Sequence, residues 1–223
     1  MVVTIGAEKG GVAKTRLATH LAAAAAGEGV DVVLLDTDKQ GSAMSWSRIR
    51  NEEGVTPSIP VLALPANPAR ELANLASKYT LVVVDIGAQN YRTMLECALL
   101  SDLVLVPCGP DQQEVESTLS VFSTLKDMGP RHESGAIPAH VVLTRVSTVE
   151  GSKATAELRS YFASEGISVF DAQIAQRAAW LATGKTGRAV SELKGKDRSK
   201  KAIEEMDAVY REVKERIDGE GDK

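Results

Sequence analysis

Aromatic residues make up only 4% of this 223-residue sequence, so its core cannot depend on large rings. The interior has to be built from Val, Leu, Ile and Ala, a composition typical of a parallel sheet covered by alanine-rich helices. Cysteine is also scarce, because the chain has only Cys97 and Cys108, neither at CxxC spacing nor near histidines at metal-ligand spacing. We interpret both as buried, reduced thiols.

Long apolar runs and an excess of positive charge are absent as well. The apolar stretch at residues 17–26 is too short to cross a membrane, and His20 interrupts it. The first residues show neither the basic region nor the cleavage site of a signal peptide, so we expect a cytoplasmic protein. The net charge of −4 argues against a protein that coats nucleic acid, but it is compatible with a local basic patch.

Short β-branched runs alternate with helical patterns along the chain. The runs lie at residues 2–5, 30–35, 61–64, 81–84, 103–106, 141–143 and 167–170. The helical patterns lie at residues 14–26, 113–128, 152–164 and 199–217. The alternation predicts an α/β fold with a doubly wound, mostly parallel sheet of about seven strands and helices on both faces. Since no linker divides the chain, we expect one domain over residues 1–218 and a polar tail over residues 219–223.

The segment between the first strand and the first helix has the composition of a phosphate-binding loop. It reads Gly-Ala-Glu-Lys-Gly-Gly-Val-Ala-Lys-Thr over residues 6–15. Glycines let successive backbone N–H groups face an anion, and the following helix adds the positive end of its dipole. Lys14 can reach the β- and γ-phosphates of a nucleotide, and the Thr15 hydroxyl can bind Mg²⁺.

The common pattern G-x-x-x-x-G-K-[ST] does not fit this segment, because Glu8 and Ala13 replace its glycines. The pattern that fits is K-G-G-x-x-K-[ST], which has an additional lysine at Lys9. In this motif the chain resembles the ParA/MinD family of P-loop ATPases, whose Walker A motif is called deviant. The resemblance implies that ATP is the cofactor and that one run of residues binds it. These residues are Lys9, Gly10, Gly11, Val12, Ala13, Lys14, Thr15 and Arg16.

Ala13 and Arg16 depart from the family pattern. Glycine in such loops often takes a positive φ angle, at which alanine costs about 1 kcal/mol. The family commonly has a small hydroxyl residue at the position of Arg16. We expect Ala13 to change the ATP affinity and the turnover rate and to leave the site itself in place.

Acidic residues follow two of the apolar strands. Asp36 and Asp38 come after the second strand and would point the same way if the backbone stayed extended, and Asp85 ends the fourth strand. The resemblance implies that Asp36 supports the Mg²⁺ shell, that Asp38 positions or polarises the attacking water, and that Asp85 holds Mg²⁺ through water. Gly87 resembles the glycine whose backbone senses the γ-phosphate. The implied catalytic residues are Lys9, Lys14 and Asp38, and the implied metal-site residues are Thr15, Asp36 and Asp85.

Two segments place the chain near the short, ParF-like plasmid partition ATPases of this family. They are residues 36–46, which include Trp46, and residues 184–192. This resemblance implies an ATPase that is slow until a small site-specific DNA-binding partner stimulates it. It also implies an ATP-bound homodimer, in which Lys9 of each subunit reaches the phosphates of the other. Such a dimer binds DNA non-specifically, associates with the nucleoid and segregates a plasmid or a chromosome region.

A basic run at residues 194–201 is the candidate for contacts with DNA phosphates. Its cations are Lys194, Lys196, Arg198, Lys200 and Lys201. A charge run is usually only a solvated face, and both interpretations stay open. Because the run precedes the last helix, we expect it to lie away from the strand-end loops that hold nucleotide. Residues 143–145 and 174–177 resemble family segments near the nucleotide base and ribose, but they do not assign contacts.

The sequence is also compatible with functions other than DNA partition. A related ATPase could position a protein cargo or a conjugation complex through protein or membrane contacts. A metabolic enzyme such as a dethiobiotin synthetase relative could use ATP on a small substrate, but Lys9 argues against it. The apolar stripe from Ile203 to Ile217 could bind a membrane, as in MinD-like proteins. Its mixed charges and the acidic residues after it favour a helix packed on the domain, without stable membrane insertion.

Overall fold

The computed structural model describes residues 1–64 and 68–220 and contains one seven-stranded sheet. The strands are β1 (Val2–Ile5), β2 (Val32–Asp36), β3 (Val61–Ala63), β4 (Leu81–Asp85), β5 (Leu103–Cys108), β6 (Ala139–Val146) and β7 (Val169–Ala175). The helices are α1 (Lys14–Gly27), α2 (Ser42–Glu52), α3 (Ala69–Ala76), α4 (Tyr91–Ala98), α5 (Gln112–Met128), α6 (Lys153–Ser164), α7 (Ala179–Thr186) and α8 (Lys200–Glu220).

The strand order is β3-β2-β4-β1-β5-β6-β7, and every pair of neighbouring strands is parallel. The chain therefore starts near the middle of the sheet and winds outward in both directions. This arrangement confirms the predicted doubly wound α/β fold, in which ligands bind beyond the carboxyl ends of the strands.

Helices cover both faces of the sheet, which explains why its strands are nearly unbroken apolar runs. On one face, α1, α2, α7 and α8 pack against side chains such as Val3 and Leu34. On the other face, α3, α4 and α5 pack against Val2 and Val33, and α6 joins α5 beyond β6. Successive residues of one strand thus enter different cores, as the alternating direction of strand side chains requires.

The register of the central strands brings the functional segments into one row. Asp85 at the end of β4 pairs with Ile5 at the end of β1 and with Asp36 at the end of β2. The predicted phosphate loop starts immediately after Ile5. The loop and the acidic strand ends therefore meet at the same edge of the sheet.

The last helix packs on the sheet, as its charge pattern predicted. Most of its apolar stripe is buried, and Val209 has no exposed surface. Carboxylates of the same helix also accept N–H groups of the edge strand β7: Glu212 accepts from Asp171 and Ala172, and Glu205 accepts from Ala175. These contacts satisfy part of a strand edge that would otherwise be open to pairing. Within the described residues, no helix combines the length and apolarity needed to cross a membrane.

Several boundaries differ from the sequence-based prediction. Strand β7 was predicted at residues 167–170 and occupies Val169–Ala175, because polar residues such as Asp171 and Gln173 alternate along this half-exposed edge strand. Helix α8 continues through Gly219 and Glu220, where the polar tail was predicted to begin, and the rest of that tail lies outside the described residues. Cys97 and Cys108 are free and buried, which confirms their interpretation as thiols.

Candidate nucleotide-binding site

A cavity of about 340 Å³ lies where the loop after β1 meets the ends of β2 and β4. Its walls contain most of the predicted phosphate-loop residues together with Asp38 and Gly87. The lining residues are Gly10, Gly11, Ala13, Lys14, Thr15, Arg16, Asp38, Ser42, Ile86, Gly87 and Ala88. Val12 is buried beneath the loop, and its carbonyl oxygen accepts a 3.1 Å hydrogen bond from Thr144 Oγ1 at the end of β6.

The loop enters α1 through a left-handed residue, as its composition predicted. Ala13 precedes the helix with φ 74° and ψ 23°, and Gly11 has φ 77°. An L-residue in this region is strained by about 1–2 kcal/mol, so Ala13 occupies a position better suited to glycine. No side chain caps the amino terminus of α1. Its first N–H groups therefore face the cavity as donors for an anion.

The two loop lysines occupy different environments. Lys14 is buried, and its Nζ donates a 2.7 Å hydrogen bond to the carbonyl oxygen of Lys9. Burial lowers the pKa of Lys14, while Asp85 and Asp38 act in the opposite direction and favour its charged form. The side chain of Lys9 is exposed and does not line the cavity of its own chain.

Asp85 is a buried carboxylate without a hydrogen-bond partner in the described part of the chain. The residue is 1% exposed, and neither of its oxygens accepts a hydrogen bond of normal geometry. Burial raises its pKa to about 7, and the nearby Thr15 hydroxyl and Lys14 partly oppose this rise. An orphaned carboxylate beside a threonine hydroxyl is a suitable pair of oxygen ligands for a hard divalent cation such as Mg²⁺.

Few protein ligands would hold such a cation. Within residues 1–64 and 68–220, no three His, Cys, Asp or Glu side chains come together as a metal-binding group. Mg²⁺ typically uses one or two carboxylates together with phosphate oxygens and water. The donors at Asp85 and Thr15 therefore fit Mg²⁺ that arrives with a nucleotide.

Asp36 and Asp38 do not point the same way, contrary to the extended-backbone expectation. Strand β2 ends at Asp36, and its carboxylate turns to accept N–H groups from Asp38 at 2.9 Å, Ala43 at 2.9 Å and Met44 at 3.0 Å. Asp36 thus fixes the start of α2, and it does not line the cavity. Asp38 follows the turn and faces the cavity. The metal-shell role of Asp36 stays a prediction.

Cationic and aromatic side chains lie beside the cavity on the α7 side. The Arg16 guanidinium lies 5.7 Å from the centre of the Trp180 ring, and both its burial and the charge of Arg145 lower its pKa. Arg145 has a positive φ of 55° and pairs with Glu114. Sequence reasoning did not single out Trp180, because as sequence it is only an apolar residue in a short helix.

The basic run lies beside the loops that follow β6 and β7, and none of its residues lines the cavity at the phosphate loop. Its five cations are exposed, and Lys196 and Arg198 line a groove of about 430 Å³. Thr148 follows β6, Gln176 and Arg177 follow β7, and all of them line the same groove. The chain returns to this edge between α7 and α8, which residue order alone does not reveal. Arg177 is paired with Glu205, and Lys201 with Glu150.

A larger groove of about 690 Å³ lies at the opposite edge of the sheet. Mostly apolar residues line it, including Phe122, Ile137 at the approach to β6 and Ile167 at the approach to β7. Because this edge carries the amino ends of the strands, it is not where doubly wound sheets bind nucleotides. The smaller cavity at the phosphate loop is therefore the candidate site.

Residues 3–190 match the family model described as the CobQ/CobB/MinD/ParA nucleotide binding domain. The chain belongs to this family. It is 31% identical over 221 residues to the maintenance of carboxysome distribution protein A of Gloeobacter kilaueensis, covering 97% of this chain and 94% of that relative. It is 25% identical over 199 residues to Protein ParA of Rhizobium radiobacter, covering 87% of each chain.

A solved structure supports the same fold. The ParA family ATPase from Chlorobium tepidum superposes with a TM-score of 0.69 at 18% identity, covering 93% of this chain and 97% of that one. Membership of the ParA/MinD family confirms the resemblance carried by the phosphate loop. The chain is a nucleotide-binding ATPase of this family.

Proposed function

We propose that this chain is an ATP-dependent dimerisation switch that binds DNA non-specifically and hydrolyses ATP to segregate a plasmid or a chromosome region. The placement of the two loop lysines carries the proposal. Lys14 is buried beside the cavity, whereas Lys9 is exposed and does not line it. An exposed cation at the edge of a phosphate site, not used by its own subunit, is available to the nucleotide of a second subunit.

The cavity supports ATP as the ligand and Mg²⁺ as its companion. Residues 10–16 hold the phosphates of their own subunit, and Lys9 reaches those of the second subunit. Thr15 and Asp85 are the oxygen donors that suit Mg²⁺, with Asp36 anchoring the neighbouring turn. When bound there, Mg²⁺ supplies positive charge to the phosphates. Asp38 faces the cavity from a partly exposed turn and orients the attacking water, and Lys14 stabilises the negative charge of the transferring phosphoryl group.

The basic groove supports DNA as the macromolecular ligand. Lys194, Lys196 and Arg198 form no salt bridge within the described ranges of the chain, so their charges are available to phosphates. A dimer presents two such surfaces, and avidity strengthens weak non-specific binding. The relative named Protein ParA favours this function. A small site-specific DNA-binding partner would stimulate the slow hydrolysis and release the dimer from the nucleoid.

Charge reversal tests the DNA-binding surface directly. The variant carries Lys196→Glu, Arg198→Glu and Lys200→Glu, and DNA binding is measured at several salt concentrations with ATP and with ADP. We expect ATP-dependent binding by the wild type that falls steeply with salt, and its loss in the variant with ATP affinity retained.

A matched control separates a local effect from a change in net charge. It carries Lys78→Glu, Arg92→Glu and Lys126→Glu, which are exposed residues on the α3–α5 face of the sheet. This variant should bind DNA nearly as well as the wild type. Equal losses of DNA binding in both variants would mean that only net charge matters. Undiminished DNA binding by the first variant would mean that the basic run is only a solvated face.

A second candidate function is the positioning of a protein cargo or a conjugation complex. The 31% identical relative is a protein of carboxysome distribution, which favours this alternative. Deleting the gene in its host and following plasmid retention beside the distribution of large protein assemblies separates the two functions. Plasmid loss with normal assemblies supports segregation, and the reverse result supports cargo positioning.

A further inference from the structure

We propose that Thr37 is a positioning residue that ties the end of β2 to the segment after β4 and so holds Asp38 at the cavity. The proposal rests on the proposed function, because it takes Asp38 as the group that orients water. Thr37 stands between two acidic residues of the predicted site, and the sequence marks it as nothing more than a strand-end residue.

All three polar groups of Thr37 bond to one short stretch of the chain. Its backbone N–H donates to the carbonyl oxygen of Asp85 at 3.1 Å. Its Oγ1 accepts the N–H of Gly87 at 2.8 Å, in a buried hydrogen bond. Its carbonyl oxygen accepts from the side-chain amide of Asn90, the residue that precedes α4. Such a three-point attachment fixes the position and the orientation of the Thr37 peptide.

The attachment leaves little freedom to the next residue. Gly87 packs directly on Asp38, since a Cβ atom at Gly87 would lie 3.0 Å from both Cα and Cβ of Asp38. Among the residues that the structure describes, the carboxylate of Asp38 accepts only the N–H of Gln40, within its own turn. The place of Asp38 therefore depends on its backbone, which is anchored by Thr37 on one side and by the turn to α2 on the other.

The hydrogen bond from Gly87 N–H to Thr37 Oγ1 also orders the opposite wall of the cavity. Gly87 and Ala88 line the cavity together with Asp38, and Asn90 N–H donates to Gly87 O at 3.0 Å. Removing the Thr37 hydroxyl leaves the buried Gly87 N–H without its acceptor, an unfavourable state that the segment can relieve only by moving. Such a movement changes the distance between Gly87 and Asp38 across the cavity.

The test compares Thr37→Val, which keeps the shape and removes the hydroxyl, with Thr37→Ser, which keeps the hydroxyl. Thr4→Val is the matched control, because it removes another buried threonine hydroxyl, one that bonds to Ser101 Oγ at 2.7 Å. Each protein is assayed for kcat and KM of ATP hydrolysis, for ADP affinity and for hydrogen exchange of the Gly87 amide. Thermal melting establishes that each variant is folded.

We expect Thr37→Val to lower kcat at least about tenfold, because small displacements of positioning groups have large effects on rate. KM and ADP affinity should stay within about threefold, and the Gly87 amide should exchange at least about tenfold faster. Thr37→Ser and Thr4→Val should resemble the wild type in all these measurements. Equal kcat values for Thr37→Val and Thr37→Ser, or unchanged Gly87 exchange, would overturn the proposal. Absence of ATP turnover in the wild type would instead contradict the proposed function, and the exchange measurement would still decide whether Thr37 holds Gly87.

Discussion

Arg50 and Glu192, 142 residues apart in the chain, form a bidentate ion pair with N–O distances of 2.6 and 2.7 Å. The guanidinium is almost completely buried, and it also donates to the carbonyl oxygens of Pro57 and Gly187. The pair joins α2 to the turn after α7. It therefore connects the segment that follows Asp36 with the Gly-Lys-Thr-Gly stretch at residues 184–187.

Arg50→Met should lower the free energy of unfolding by at least about 2 kcal/mol, because it leaves Glu192 without its partner beside buried backbone. Urea unfolding measures the effect. Arg48→Met is the matched control on the same helix, since Arg48 pairs with Glu52 in an exposed i,i+4 bridge, and it should cost less than about 1 kcal/mol. Similar losses of unfolding free energy in the two variants would show that the buried pair stabilises the fold no more than the exposed one.

Ala13→Gly should relieve the strain of the phosphate loop. Alanine at φ 74° is disfavoured by about 1–2 kcal/mol, and the extra flexibility of glycine in the unfolded chain offsets part of that gain. We expect unchanged or higher stability, together with higher ATP affinity or turnover. Ala24→Gly, within α1, is the control and should destabilise by about 1 kcal/mol. An Ala13→Gly protein destabilised as much as this control would mean that the loop is not strained at Ala13.

Asp38→Ala should bind ATP and form the dimer. Its rate of ATP hydrolysis should fall at least about 10²-fold, as expected when a water-orienting group is lost. Single-turnover hydrolysis with the partner protein measures the rate, and titration with ADP measures binding. Lys39→Ala, at the exposed neighbouring residue, should retain the wild-type rate. If Asp38→Ala turns over normally, another group orients the water.

His20 should make the protein less stable in acid. Burial is the main reason that its pKa is lowered to about 4, and its hydrogen bond to the Arg16 carbonyl acts in the opposite direction. Between the pKa of about 6.5 in the unfolded chain and the folded value, the unfolded state binds more protons, so the free energy of unfolding falls as the pH falls.

Urea unfolding is measured at about pH 7 and at about pH 5. Between these two pH values, the free energy of unfolding should fall by about 2 kcal/mol more for wild type than for His20→Gln. The comparison cancels the contribution of His140, whose pKa is also lowered to about 4. Parallel losses in the two proteins would mean that His20 is protonated without cost in the folded state.

Features that depend on local pattern could be predicted from the sequence. Buried strands appear as continuous apolar runs, so β1 was predicted at its observed residues, and the glycines and lysines of the loop identified the phosphate site. The positive φ of Ala13 followed from its place in a glycine-rich motif. Asp85 and the phosphate loop meet because parallel strand ends share one edge, a consequence of the fold class.

Features that depend on tertiary contacts could not be predicted in the same way. The turn of Asp36 toward α2 depends on backbone donors that exist only once α2 has formed. The approach of Lys196 to Gln176 depends on how the chain returns between α7 and α8. Likewise, Thr37 acquires its role from the segment after β4, about fifty residues away, and no pattern around Thr37 signals this contact.

The most direct test of the dimerisation switch is light scattering on the wild type and on Lys9→Ala, each with ATP, with ADP and without nucleotide. Wild type should be monomeric without nucleotide and with ADP, and dimeric with ATP. Lys9→Ala should bind ATP but remain a monomer, because it lacks the cation that reaches the second subunit's phosphates. Lys153→Ala, which removes an exposed lysine from α6, should dimerise normally. A normal ATP dimer in Lys9→Ala would contradict the switch.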